Sequence, residues 1–218
     1  MDKISQESEI DTIGNSHWVQ FLISTLGFLI TIAYFPLELG FGLVRTSIPI
    51  LSLAGVLVIL TKSFQKIDSI DFILILLGFW ITLVLVIFPA ASSTIIDWKL
   101  FFDEIGSIVA SFLTRHLCRK YSSEIIRGLV LGLSIQVLIG IYQVKVGPNR
   151  LNALGYVYPR FIFEPGGGFS RAFGSFFSPV IYGSFIAVLG IGLCNYYVNN
   201  RMKFLAIGLS SFLAIILS

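Results

Sequence analysis

The chain has 218 residues, 56% of them hydrophobic and 12% charged, with a formal net charge of +3 and a mean hydropathy of +0.89. So little polar surface excludes a water-solvated globular domain of this length. The expected class is all-α: a polytopic transmembrane helical bundle of about seven spans, each apolar run reading as a helix of roughly 20 residues set in a lipid bilayer.

Residues 1–17 form a polar head that holds Asp2, Glu7, Glu9 and Asp11 against Lys3. An acidic head is a poor signal-peptide start and no small-residue cleavage site follows it, so it is read as a retained cytoplasmic tail. The five spans of residues 18–146 then run Trp18 to Pro36, Thr46 to Leu60, Phe72 to Ala90, Leu100 to Leu117 and Ile126 to Val146. The fourth carries Asp103, Glu104 and Arg115 near its ends, and its membrane crossing decides the side of every later loop. Residues 147–178 form a polar loop, Pro179 to Val198 the sixth span, and a seventh starts at Phe204.

Lys and Arg in short loops mark the cytoplasmic side. With the N-terminus inside, the inner side takes Lys3, Lys62, Lys66, Arg115, Arg119, Lys120, Arg127, Arg201 and Lys203, and the outer side keeps only Arg45, Lys99 and Lys145 apart from the long loop. The inner run Arg115, Arg119, Lys120, Arg127 reads as an anchor on anionic lipid. Cys118 and Cys194 fall toward inner helix ends, where thiols stay reduced. His17 and His116 are far apart in sequence, so no metal is expected. The Gly166-Gly167-Gly168 run lacks the Lys-Ser/Thr of a phosphate-binding loop and reads as a flexible joint. Nothing points to nucleic acid or to a cofactor.

The long loop breaks the charge rule, since Arg150, Arg160 and Arg171 lie on the outer face with no lysine among them. Arginine's planar fork pairs with phosphate at two points, which favours a diphosphate ligand; binding to lipid headgroups is the plainer alternative. Pro179 suits the first turn of the sixth helix and Ser178 its N-cap, so the helix start offers free N–H groups to an anion close to Arg171. Glu164, four residues after Arg160, reads either as its carboxylate partner or as a solvated loop charge. Tyr156, Tyr158, Phe161, Phe163 and Phe169 suit a short segment lying on the membrane surface rather than sugar stacking, and Glu38 and Arg45, about two helical turns apart, read as an interfacial pair or, on one face, as a pair lining a cavity.

The string Ser170-Arg171-Ala172-Phe173-Gly174-Ser175-Phe176-Phe177-Ser178-Pro179 resembles the signature of the bacterial O-antigen ligase and polymerase family. That signature reads Arg, two residues, Gly, Thr or Ser, Phe, one residue, then Asn-Pro-Asn. Arg171, Gly174, Phe176 and Pro179 match, whereas Ser178 and Val180 stand where the family has asparagines. The resemblance implies glycan transfer on the outer face of the bacterial inner membrane. The donor would be a polyprenyl-diphosphate-linked glycan and the acceptor a hydroxyl of another glycan, of lipid A core or of a protein, with no nucleotide sugar or metal. On this reading Arg171 clamps the diphosphate, with Arg160 second and Arg150 third. The family's base is a histidine in a later external loop, which this sequence does not supply.

Phe204 to Ser218 as a helix would extend about 22 Å, short of the roughly 30 Å hydrocarbon core. Residues 179–218 therefore read as the start of a ligase-like region, and the chain as an N-terminal part that cannot complete the reaction alone. Two other classes fit the composition: a carrier such as a lipid-linked-glycan flippase or permease, which should show broken or charged helices at mid-membrane, and a structural partner subunit.

Overall fold

The computed structural model describes residues 16–32, 47–87, 94–146, 172 and 179–218. Among them the chain is all-helical, with seven helices and no strand: α1 (His17–Ile30), α2 (Ser47–Thr61), α3 (Ser69–Ile87), α4 (Thr94–Lys120), α5 (Ser122–Val146), α6 (Pro179–Tyr196) and α7 (Arg201–Leu217). Each helix falls on one of the expected apolar runs with shifted ends, and among the described residues α5 alone is long and apolar enough to cross a membrane. The fourth differs most, because no Pro or Gly-Pro break interrupts residues 94–120 and the helix runs through its charged start for 27 residues. The described residues form two compact units divided after Leu26 in α1 and after Ile125 in α5.

In the first unit α2 and α3 both pack on α4. Buried Ala54, Leu57, Val58 and Thr61 recur on α2 at the spacing of one helical face. α2 ends in a Schellman turn, in which Ser63 N–H reaches Val58 O at 3.1 Å and Lys62 N–H reaches Ile59 O at 3.3 Å. Lys62 occupies the left-handed position of that turn with φ 47°, where glycine is the ordinary choice.

The next helix starts with a reciprocal cap. Asp68 Oδ1 accepts from Ile70 N–H (3.0 Å) and Asp71 N–H (2.9 Å), and Asp71 Oδ2 accepts in return from Asp68 N–H (3.0 Å). Arg115 and Arg119, one turn apart on α4, grip both carboxylates. Arg115 Nε lies 3.0 Å from Asp71 Oδ1, and Arg119 Nη2 lies 2.7 Å from Asp71 Oδ2 and 2.6 Å from Asp68 Oδ2. Two of the four cations expected to anchor on lipid are thus bound by protein carboxylates. Cys118 and Cys194 are free thiols.

The second unit is built on α5, α6 and α7 around Leu133, Val137, Tyr182, Ile186, Leu193 and Ile207. α6 and α7 form an antiparallel hairpin whose seam is lined by small residues. Gly183 faces Ser218 and Gly190 faces Ser211, each pair one heptad from the other. A turn over Tyr197–Asn199 closes the hairpin, and Asn200 caps α7 by accepting from Lys203 N–H at 3.2 Å.

The Asp71 carboxyl is buried, which pushes its pKa up, but the Asp68 N–H and the Arg119 guanidinium outweigh this and hold it below the ordinary value. Asp68 is held lower still, chiefly by the Asp71 N–H and then by Arg115. Folded values below unfolded ones contribute stability that is complete above the unfolded carboxylate pKa of about 4 and is lost as pH falls through the folded values. The thermal midpoint of the detergent-purified chain should therefore drop steeply below about pH 4. Asp71→Asn should lower the midpoint by several degrees at neutral pH and flatten that acid limb.

Candidate functional site

On α5, Gly132, Gln136, Gly140 and Gln143 recur at spacings of four, four and three residues and so share one face. Both glutamines are completely buried, and a carboxamide taken from water needs hydrogen-bond partners. Gln136 Nε2 donates to Thr31 O at 2.8 Å. Thr31 follows the last residue of α1, where helix carbonyls have no partner of their own. The same end is tightened by Thr31 N–H to Phe28 O and Ile32 N–H to Leu29 O, each 3.0 Å. Gln136 therefore closes α1 from a neighbouring helix.

The two glycines of the stripe make room for what lies against it. A Cβ on Gly132 would fall inside the side chain of buried Thr31. A Cβ on Gly140 would stand 2.8 Å from the Tyr182 hydroxyl and 3.2 Å from the Ala172 Cβ. Tyr182, fully buried on α6, donates through that hydroxyl to Gln136 O at 3.0 Å. Ala172 is also completely buried, and its N–H donates to Leu217 O at 2.7 Å, supplying the last turn of α7 with a donor it lacks. The end of α5, the start of α6 and the end of α7 thus converge on Ala172.

That residue directly follows Arg171. Arg171, Arg160, Arg150, Glu164, Gly174 and Ser178 themselves lie outside the described residues, as do Glu38, Arg45 and the aromatic run Tyr156 to Phe169. Pro179 is the first residue of α6, the position its fixed φ and missing N–H suit. The described side chains clustered with Ala172 are neutral: the Tyr182 phenol and aliphatic groups such as Leu133, Val137 and Ile186. Among the described residues of this unit there is no Asp, Glu or His, and no cluster of potential metal ligands occurs among the described residues of the chain.

Sequence reasoning passed over Gln136 and Gln143. Their signal was two amides seven residues apart inside an otherwise apolar run, which places them on one face. It also passed over Asp68 and Asp71, whose three-residue spacing is that of a helix-start capping pair.

Because the Thr31 side chain is stiff and enclosed, Gly132→Ala should destabilise the protein by about 1–3 kcal/mol, the ordinary cost of overpacking. Gly192→Ala, where a Cβ meets nothing within 4 Å, should be neutral or stabilising by up to about 1 kcal/mol. Thermal unfolding of both variants in one detergent checks the contrast. Comparison with protein-family profiles, with characterised proteins and with solved structures gave no match to this chain.

Proposed function

We propose that the chain is a multi-pass protein of a bacterial inner membrane that takes part in transferring glycan from a polyprenyl-diphosphate donor to an acceptor hydroxyl on the outer face. The membrane setting is supported by α5, 25 residues long and apolar enough to cross a bilayer, and by four shorter apolar helical segments. It is supported further by large side chains that would be poorly solvated by water. Phe79 and Trp80 on α3 are 66% and 62% exposed, and Val188 on α6 is 73% exposed.

The observation that carries the glycan-transfer reading is the burial of Ala172 among three helix ends. It ties the residue next to Arg171 to the same end of the unit as Pro179, the start of α6. A guanidinium and a helix N-terminus near each other suit a diphosphate, whose negative charge grows as the glycosyl bond breaks. The leaving group is already good, so the protein's task is to neutralise that charge and align the acceptor. Arg171 is the first contact, with Arg160 and Arg150 following. The Gln136, Tyr182 and Gly140 contacts fix the position of Ala172.

One observation favours a carrier instead. α1 ends after 14 residues against a buried amide stripe, and discontinuous helices beside polar groups are how carriers build sites within a bilayer. The two readings separate on Arg171→Ala in cells whose glycan export depends on this chain. Glycan transfer should fall about 10²- to 10³-fold, as on removal of a charge-stabilising donor, with the lipid-linked precursor accumulating on the outer leaflet. Accumulation on the inner leaflet would replace the transferase reading with the carrier.

A further inference from the structure

We propose that the loop between α2 and α3, together with the last turn of α4, is a binding site for anionic phospholipid headgroups, with Lys62, Lys66 and Lys120 as its cations. The site rests on the membrane reading above but not on glycan transfer.

The charge balance at this end of the unit separates arginine from lysine. Arg115 and Arg119 face Asp68 and Asp71, two cations against two carboxylates in hydrogen-bonding geometry. Lys62, Lys66 and Lys120 have no carboxylate partner among the described residues and are exposed. The Lys120 ammonium lies 3.4 Å from Thr61 O and 5.4 Å from the Tyr121 ring centre, which leaves its charge uncompensated. Arginine's fork serves the carboxylates here; the compact, mobile ammonium of lysine suits single phosphodiesters of variable position.

The backbone at Lys62 supplies a second, independent reason. Its φ of 47° costs a side-chain-bearing residue roughly 1 kcal/mol that glycine would not incur. A glycine would also keep both bonds of the Schellman turn, since these are made by the backbone. The lysine side chain has no described role in holding the turn, so its presence there calls for a role outside the fold.

Finally, the loop is held rigidly by α4. Gln65 N–H donates to His116 Nδ1 at 3.1 Å, and Arg119 Nη1 donates to Lys66 O at 3.1 Å. His116 is fully buried and stacks on Phe64 with 4.6 Å between ring centres. Phe64 and Ile67 nonetheless keep more than half their surface open beside the lysines. Cations alternating with exposed apolar side chains on a fixed loop match a surface that meets headgroup phosphates and the upper acyl region together.

The test uses the full chain purified in neutral detergent, titrated with micelles containing phosphatidylglycerol or phosphatidylcholine. Bound lipid is counted by native mass spectrometry and thermal midpoints are recorded. Phosphatidylglycerol should bind more tightly than phosphatidylcholine and raise the midpoint. Lys62→Gly and Lys66→Gln should each weaken phosphatidylglycerol binding about fivefold, the factor given by about 1 kcal/mol per lysine near an anionic surface. Without lipid, Lys62→Gly should leave the midpoint unchanged or raised, which a purely structural lysine would not do. Equal binding of the two lipids, or unaltered phosphatidylglycerol affinity in both variants, would overturn the site. Alkaline carbonate extraction of cell membranes tells the two failures apart. Release of the chain would sink the membrane reading and this site with it, whereas retention with equal lipid binding would sink the site alone.

Discussion

Each helix leaves carbonyls at one end and amides at the other without partners, and this chain has few polar side chains with which to satisfy them. The described structure is arranged around that shortage. Gln136 closes the end of α1, Asp68 and Asp71 close the start of α3, Asn200 the start of α7, and the backbone of Ala172 the end of α7. Two of these four closures, those of Gln136 and Ala172, reach a residue that no local spacing brings near, so a helix end and a tertiary contact are fixed by the same bond. In a protein read as lying in lipid, where water cannot stand in for a missing partner, that coupling ties local helix termination to global packing.

Close approach follows from the same arrangement. Gln136 can reach the Thr31 carbonyl because Gly132 lets the Thr31 side chain lie against α5, and Tyr182 can reach the Gln136 carbonyl because Gly140 admits its ring. The hairpin of α6 and α7 uses the same device, with Gly183 and Gly190 opposite Ser218 and Ser211. Where apolar area offers little gain in burial against lipid, short interhelical distance and dispersion replace it as the source of packing energy.

The cations divide by chemistry. Arg115 and Arg119 fasten the loop after α2 to α4 through two carboxylates, while the lysines of the same region stay unpaired at the surface. A basic run that looks uniform in sequence therefore contains two populations, one internal and structural, the other available to a partner.

The helical class, the approximate place of each helix and the start of α6 at Pro179 were legible in the sequence, because they depend on long apolar runs and on proline's fixed geometry, both local properties. The ends of α4 were not, since its charged first turns read as loop by hydropathy while nothing in them breaks a helix. Nor could Arg115 be told from a lipid anchor: its fate turns on Asp71, 44 residues away, and such a pairing has no local signature. The sequence by itself determined an apolar, all-helical chain whose helices follow its apolar runs. Tertiary structure alone decided that Ala172 sits among three helix ends and that the Gln136 amide closes the end of α1, because the partner of each buried polar group is chosen by packing across distant segments.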